Sequence, residues 1–358
     1  MTRRIGILTG GGDCPGLNAV IRAVAKSLIR QCGAEVLGIE DGFAGLMEPS
    51  PRVRPLAWEA VSGILMRGGT ILGTSNRANP LQDEATAARV VQHARTLGLE
   101  GLVVIGGDGT MALAHGLAQR GLDIVGVPKT IDNDIPGCER SFGFDTAVAT
   151  VTEAIERLQT TAESHGRVMI VETMGRWAGW IALEAGLAGA ADVILLPEIA
   201  FDVEAVAAVC RARHQRRRHT LVCIGEGARP AGGEPTVQAV HAERPEPLRL
   251  GGVAHVLAAA LQPRLECEVR ATVLGHVQRG GSPTPFDRVL ATQYGNEAAQ
   301  LVMAGAWGRM VTLQQGRLTS IALADAAHGN RQVPLDHPLL RAARQIGVSL
   351  GEPADRAG

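Results

Sequence analysis

The chain has 358 residues, 46% of them hydrophobic and 20% charged. At roughly 150 residues per domain this is enough for two domains with sizeable cores, and it excludes a chain that is disordered throughout. Lys and Arg number 35 against 36 Asp and Glu, a net charge of −1, which argues against a dedicated nucleic-acid binder or a strongly basic membrane-surface protein.

In chain order, short apolar runs end repeatedly in glycine-rich or polar turns. They are Arg4–Thr9, Gly101–Ile105, Asp123–Val127, Arg167–Glu172, Asp192–Leu195, Thr220–Ile224 and Val269–Leu274. Each has the length of a buried parallel strand. Helical patterns at Asn18–Arg30, Glu84–Leu97, Thr110–Gln119, Asp145–Thr161 and Phe201–His214 lie between them, the last with Asp202 as its N-cap. Strands alternating with helices predict parallel sheets covered on both faces. Gly225–Gly252 is dense in Gly, Pro and charge and reads as a long loop or an interdomain excursion; the tail from about Ala327 is polar and contains Pro.

Six cysteines occur, with no C-x-x-C pair and no Cys/His group at zinc spacing, so reduced thiols are expected. Ile5–Leu8 is too short for the core of a secretory signal. Trp177–Phe201 carries Glu184, Asp192 and Glu198 and is a poor membrane span. A cytoplasmic protein with no membrane and no nucleic-acid partner is the expectation.

Three strand ends carry candidate chemistry. The first runs into Gly10-Gly11-Gly12-Asp13-Cys14-Pro15-Gly16 and then a helix, where main-chain N–H groups and a helix N-terminus suit an anion. A tight βα turn without a ligand is the bland alternative. The spelling matches neither Walker A nor the Rossmann fingerprint. The second runs into Gly106-Gly107-Asp108-Gly109-Thr110. A carboxylate among phosphate-binding amides needs a bridging cation, so Asp108 is read as a Mg²⁺ ligand, against a plain helix-capping Asp. The third runs into Pro128-Lys129-Thr130-Ile131-Asp132-Asn133-Asp134. Two carboxylates at i and i+2 beside a Lys suit proton removal from a hydroxyl during phosphoryl transfer; solvated turn aspartates are the alternative.

The later half supplies cations. Met174-Gly175-Arg176 follows one strand, Arg270 lies at the start of another, and Gly275-His276-Val277-Gln278-Arg279-Gly280-Gly281 ends that one. His276 and Arg279 can converge on one anion, and Arg suits phosphate through its planar fork. Singly, each Arg reads as a surface ion pair and His276 as a core histidine. The basic stretch Arg211–His219 reads as a solvated helix end, and Trp177 and Trp180 as core residues.

Together GGGDCPGLN, GGDGT, PKTIDNDI, SFGFDTA, MGR and RATVLGHVQRGGSP resemble the 6-phosphofructokinase family, in order, from residue 5 to about 300. GGDGT alone also occurs in lipid and NAD kinases, which carry none of the later Arg and His motifs. The resemblance implies two Rossmann-like parallel-sheet domains with the active site in the cleft between them. A phosphoryl-donor domain over residues 1–145, with about 275–330 packing back on it, and a sugar-phosphate domain over residues 146–274 are expected. The implied reaction moves a phosphoryl group to the 1-hydroxyl of fructose 6-phosphate, with Mg²⁺. Asp132 then resembles the base and Thr130 a contact at the reacting end, with Ile131 beside them. Asp108 resembles the Mg²⁺ site, and Gly12, Gly107, Gly109 and Thr110 the donor cradle, with Arg77 as a further nucleotide contact. Met174, Gly175 and Arg176 resemble sugar and transition-state contacts, and Glu226 the carboxylate on the sugar hydroxyls. His276 and Arg279 resemble the binders of the 6-phosphate. Arg167 and Arg270 match residues that reach the site from a neighbouring subunit, which implies a homodimer or homotetramer.

Within this family the fourth position of GGDGT separates donors. Gly109 leaves room for ATP, whereas an Asp there marks pyrophosphate enzymes; Lys129, in contrast, is typical of pyrophosphate users. Sterics are weighed above a lysine able to swing away, so ATP is expected, with a pyrophosphate-dependent enzyme and a non-catalytic sugar-phosphate or nucleotide sensor as alternatives. Arg22 and Lys26 stand where basic effector contacts are expected, and Arg217 keeps a basic residue further on. Gln159 and Gln215 replace others, so familiar effector control is not expected. The stretch Ala228–Leu248 departs from the short enzymes.

Overall fold

The computed structural model describes residues 2–217, 219–240 and 248–353, with the side chain of Arg217 outside the description. The side chain of Arg217, all of Arg218 and the later part of the Ala228–Leu248 stretch, residues 241–247, thus lie outside the described residues. The chain divides into two units. Of the described residues, the first unit comprises those up to Thr146 and Arg279–Arg331, and the second those from Ala147 to Gln278 and from Gln332 on.

In the first unit the order is β1 (Arg4–Thr9), α1 (Leu17–Cys32), β2 (Glu35–Ile39), α2 (Ala44–Met47), β3 (Val53–Pro55), α3 (Glu84–Thr96), β4 (Gly101–Gly106), α4 (Asp108–Ala118) and β5 (Ile124–Pro128). α5 (Phe144–His165) begins there and continues into the second unit. The second unit adds β6 (Val168–Thr173), α6 (Trp180–Ala188), β7 (Val193–Leu195), α7 (Val203–Arg217), β8 (Thr220–Gly225), β9 (Val237–Val240), β10 (Leu248–Leu250), α8 (Val253–Leu261) and β11 (Val269–Val273). The chain then returns to the first unit with α9 (Pro285–Met303), β12 (Arg309–Gln314), β13 (Arg317–Ala322) and α10 (Leu323–Ala326), and α11 (Pro338–Gln345) belongs to the second.

The first unit is built on a seven-stranded sheet, β13-β12-β5-β4-β1-β2-β3. Its strands from β12 to β2 are parallel, and the antiparallel β13 and β3 close its edges. Every residue of β4 and β5 is buried, as expected of central parallel strands covered on both faces. Two helix ends explain why the elements stop and start where they do. Gly33, at φ 63°, ends α1 by donating to the Ile29 carbonyl, a left-handed position that favours glycine. Asp83 starts α3 by accepting from Thr86 N at 2.7 Å.

The second unit has a four-stranded parallel sheet, β11-β6-β8-β7. Val168, Ile170, Val193, Val222 and Ile224 form its core with Val206 and Leu257 from the flanking helices. The tail is part of it. Ile194 N donates to Ser349 O at 2.9 Å, and Asp202 N to Gly351 O at 2.8 Å.

All seven apolar runs are strands, and all five helical patterns are helices. Asp202 also starts α7 as expected, accepting from Glu204 N at 2.7 Å. Three expectations need correction. Gly225–Gly252 is not loop throughout, because β9 and β10 pair antiparallel within it. Trp180 is buried but Trp177 is 36% exposed, because its main chain turns in the tight loop after β6. Lys129 is not free to swing, since it is only 3% exposed and held by the glycine loop.

Candidate active site

In the first unit β5, β4 and β1 are neighbours and parallel, so the loops that leave their C-terminal ends lie side by side, where open α/β sheets bind ligands. The loops are joined through their backbones. Gly10 N donates to Ile105 O at 2.9 Å, and Lys129 N to Gly106 O at 2.8 Å. Glycines permit this closeness. A Cβ on Gly106 would stand 2.3 Å from Thr110 Cβ, and one on Gly10 2.7 Å from its methyl. Thr110 therefore wedges the first and second loops together, and it is buried.

Thr74 Oγ1 holds Gly11 O at 2.6 Å, and Gly11 N donates to Ser75 O at 3.2 Å. This fixes the loop that carries Arg77, whose own side chain is exposed. The Lys129 ammonium donates to the Gly12 carbonyl. Burial pulls its pKa below the usual lysine range, while the carboxylates of Asp132 and Asp108 oppose that pull. Arg279 Nη1 donates to Asp13 O at 3.1 Å, and a Cβ on Gly12 would meet it at 2.7 Å. The sequence-predicted Gly12, Lys129 and Arg279 thus come together on one loop.

Asp132 is 6% exposed, and its Oδ1 is buried with no hydrogen-bond partner. Such an orphaned oxygen is costly in a folded chain, and at this loop it is left able to accept from a bound group. Its loop is rigid. Asp132 N donates to Thr130 Oγ1 at 3.0 Å, and Ser141 Oγ to Thr130 O at 2.7 Å. Ser141 N donates to Asn133 Oδ1 at 2.9 Å, holding Asn133 at φ 55°. Ile131 is fully buried beneath.

Gly107 and Asp108 open α4, with Gly109 next. Gly109 has no left-handed φ, and a Cβ there would find no atom within 4 Å. Neither the backbone nor the packing requires glycine at this position. Asp108 is half-buried and makes no side-chain hydrogen bond among the described residues. No group of three or more His, Cys, Asp or Glu that could hold a metal alone occurs among the described residues. Mg²⁺ is ordinarily held by one or two carboxylates plus substrate phosphates, and Asp108 fits that pattern.

In the second unit the loops after β6 and β8 interlock. Arg176 N donates to Glu226 Oε1 at 3.1 Å. A Cβ on Gly227 would stand 1.8 Å from the Arg176 carbonyl, so only glycine fits there. Gly175 has φ 131° and Arg176 φ 46°, a left-handed position that is strained for a side chain of this size. Met174 N donates to Gln278 Oε1 at 3.2 Å. Gln278, fully buried, sits in the 3₁₀ turn Gly275–Arg279 that also carries His276, and this turn straddles the division between the units.

Arg167 and Arg270 stand elsewhere in the second unit. Arg167 precedes β6, whereas Met174–Arg176 follow it, and both arginines pair with Glu268, at 2.6 Å and 2.9 Å. The unit therefore keeps these two apart from its own Arg176 loop. Gln278, Ser141 and Asn133 were missed by reading the sequence as chemistry, because each works through a main-chain bond that only the fold reveals.

Residues 4–302 match the family model described as phosphofructokinase. The chain belongs to the phosphofructokinase family. It is 47% identical, over 98% of both chains, to a protein of Chloroflexus aurantiacus named ATP-dependent 6-phosphofructokinase. It is 48% identical, over 90% of this chain and 94% of the other, to one of Streptomyces coelicolor named pyrophosphate–fructose 6-phosphate 1-phosphotransferase. Among solved structures it resembles Pichia pastoris phosphofructokinase in the T-state, with TM-score 0.79 and 31% identity, covering 91% of this chain and 35% of that one. As a phosphofructokinase this chain is a phosphotransferase. No helix among its described residues is long and apolar enough to cross a membrane.

Proposed function

We propose that this phosphofructokinase is ATP-dependent, phosphorylating fructose 6-phosphate at the 1-hydroxyl to fructose 1,6-bisphosphate in the cytoplasm. The observation that carries the donor assignment is Gly109, a helical glycine with open space where its side chain would be. Room kept beside an anion-binding helix start suits a donor that continues past its transferable phosphates, as ATP does and pyrophosphate does not.

In this reading Asp132 accepts the proton of the 1-hydroxyl. The freed oxygen attacks the terminal phosphorus, a new O–P bond forms, and the bond to the ADP oxygen breaks. The unpartnered Oδ1 of Asp132 supports its role as the acceptor. Gly12, Gly107 and Thr110 shape the donor cradle, with Arg77 as a further contact. Arg176 stabilises the transferring group, Met174, Gly175, Thr130 and Ile131 position the sugar, and Glu226 accepts from its hydroxyls. Arg279 and His276 bind the 6-phosphate. Mg²⁺, held by Asp108 and the donor phosphates, would neutralise charge on the transferring group. Arg167 and Arg270 would serve the site of a neighbouring subunit in a homodimer or homotetramer, which their place at the end of β6 opposite the Arg176 loop supports.

The pyrophosphate reading is favoured by Lys129 and by the name of the Streptomyces relative. The sensor reading leaves the orphaned Asp132 oxygen without a purpose. The deciding experiment measures fructose 1,6-bisphosphate formation with Mg²⁺ and either ATP or pyrophosphate. Turnover with ATP alone is expected. Turnover with pyrophosphate, reversible with inorganic phosphate, would overturn the donor assignment, and binding without turnover would favour the sensor.

A further inference from the structure

A buried carboxylate that touches none of the proposed substrate groups joins two of the loops described above. Asp287 is 0% exposed. Thr284 and Asp287 have the spacing of a helix capping box, in which the acidic side chain normally returns to the N–H of the capping residue. Here half of that box is kept. Thr284 Oγ1 accepts from Asp287 N at 3.3 Å, but Thr284 N donates to Thr146 Oγ1 at 3.0 Å instead. The Asp287 carboxylate accepts from Thr146 N at 2.8 Å and from Thr146 Oγ1 at 2.6 Å through Oδ2. Thr284 Oγ1 reaches Asp145 at 2.7 Å. Thr146 has thus been inserted into the capping box of α9, and the first turns of α5 and α9 are capped by each other.

These turns end the two loops that matter. Upstream of Thr146, Ser141 holds Thr130 and Asn133, and Phe142 bridges to Lys129. Upstream of Thr284 lies Arg279, bonded to Asp13. Lys129 returns to Gly12, so the path closes through Lys129, the glycine loop, Arg279, Asp287, Thr146 and Ser141. The Gly107–Thr110 donor turn lies outside the Asp287 link.

We propose that Asp287 is a positioning residue: by joining the starts of α5 and α9 it sets the spacing between Asp132 and Arg279. The inference rests on the functional reading above, in which those two residues address the sugar and its phosphate.

The test compares Asp287→Ala, Asp287→Asn and Thr146→Val in the full chain, assayed below each variant's unfolding midpoint. Asp287→Ala should raise KM for fructose 6-phosphate and lower kcat, together on the order of 10²-fold, the effect of a displacement of about 1 Å between reacting groups. KM for ATP should change less than KM for fructose 6-phosphate, because no residue of the Gly107–Thr110 turn belongs to this path. Asp287→Asn keeps an acceptor oxygen and should recover most of the loss, and the alanine and Thr146→Val effects should not add. A fall in kcat with both KM values unchanged would mean a smaller active fraction only, and would overturn the proposal. Should the wild-type enzyme not use fructose 6-phosphate, the functional reading fails first. Amide exchange then decides. Faster exchange over residues 130–142 and 279–284 in Asp287→Ala, with 106–110 unchanged, keeps the positioning role, and unchanged exchange in the first two removes it.

Discussion

The Lys129 ammonium is bonded to the carbonyl of Gly12, beneath the loop that follows the first strand. This relationship changes what the lysine means. A mobile cation on the donor side would reward a small, highly charged donor, whereas a buried one fastens the third loop to the first. Lys129→Met keeps the volume and removes the donor. A hydrogen bond to a charged group contributes about 1.5–3 kcal/mol, so KM for the phosphoryl donor should rise roughly 10- to 100-fold. An unchanged donor KM would show that the bond from Lys129 to Gly12 does not shape the donor loop.

Asp132→Ser should lower kcat by roughly 10²–10⁴-fold, the usual span for loss of a general base, with little change in sugar affinity. The same change should raise the melting temperature. It removes a buried oxygen that lacks a partner, and such a group costs about 1–3 kcal/mol. Activity and thermal unfolding measured on one preparation test both halves. A variant that loses stability along with activity would show that Asp132 is structural.

Gly109→Asp should fold normally, because the added side chain enters open space from a helical backbone. It should weaken ATP turnover selectively, through the clash and repulsion of a carboxylate with the nucleotide's inner phosphate. Parallel rates with ATP and pyrophosphate measure this. Equal losses with both donors would refute the steric argument.

How much of this was legible beforehand depends on how each residue acts. Gly12, Asp108, Asp132 and Arg176 could be singled out because strand-turn-helix spelling brings them to strand ends, and the seven apolar runs are strands. β2 and the β12–β13 pair were not singled out. Glu35–Ile39 is short and follows closely on the helix before it, and its Gly38 is needed because Leu72 and Leu56 pack on it. Asp287 and Gln278 were invisible as functional residues. Their partners, Thr146 and Met174, lie 141 and 104 residues away. Such pairings arise from the return of the chain to an earlier sheet, which no local pattern encodes. Trp177 failed for the opposite reason: its spacing to Trp180 is helical, but the chain between them is a turn.

Asp287 also predicts a pH dependence. Burial pushes its pKa from 3.8 up to about 6, against the opposing hydrogen bonds from Thr146, and the neighbouring Asp145 carboxylate adds to the rise. Asp145 is itself paired with Arg140 at 3.3 Å. A folded pKa above the unfolded one means that the native state holds the proton more tightly. Between about pH 4 and 6 unfolding releases that proton, so this group's contribution to stability falls as pH rises through the window and is flat above it. A shift of about two units at 1.36 kcal/mol each sets the scale at ~3 kcal/mol. Asp287→Asn does not titrate. Denaturant unfolding at pH 4 and pH 7 should therefore show the variant gaining on the wild type at the higher pH. A difference that is constant with pH would mean that Asp287 titrates alike in both states.

Arg167 and Arg270 bear on assembly. Both pair with Glu268, and Arg167 lies at the far end of β6 from Met174–Arg176. If they complete a neighbour's site, Arg270→Ala and Asp132→Ser damage different halves of a shared site. Each variant alone should be nearly inactive. When they are unfolded and refolded together, half of the symmetric pairs become mixed, and each mixed pair holds one site with both residues intact and one with neither. Roughly a quarter of the wild-type activity should return in a 1:1 mixture. The recovered activity should travel with the oligomer on size exclusion and disappear on dilution below its dissociation constant. A mixture no more active than the sum of its parts would place Arg270 in its own subunit's site, whereas an Arg270→Ala variant that keeps its activity alone would leave Arg270 as a surface ion pair with Glu268.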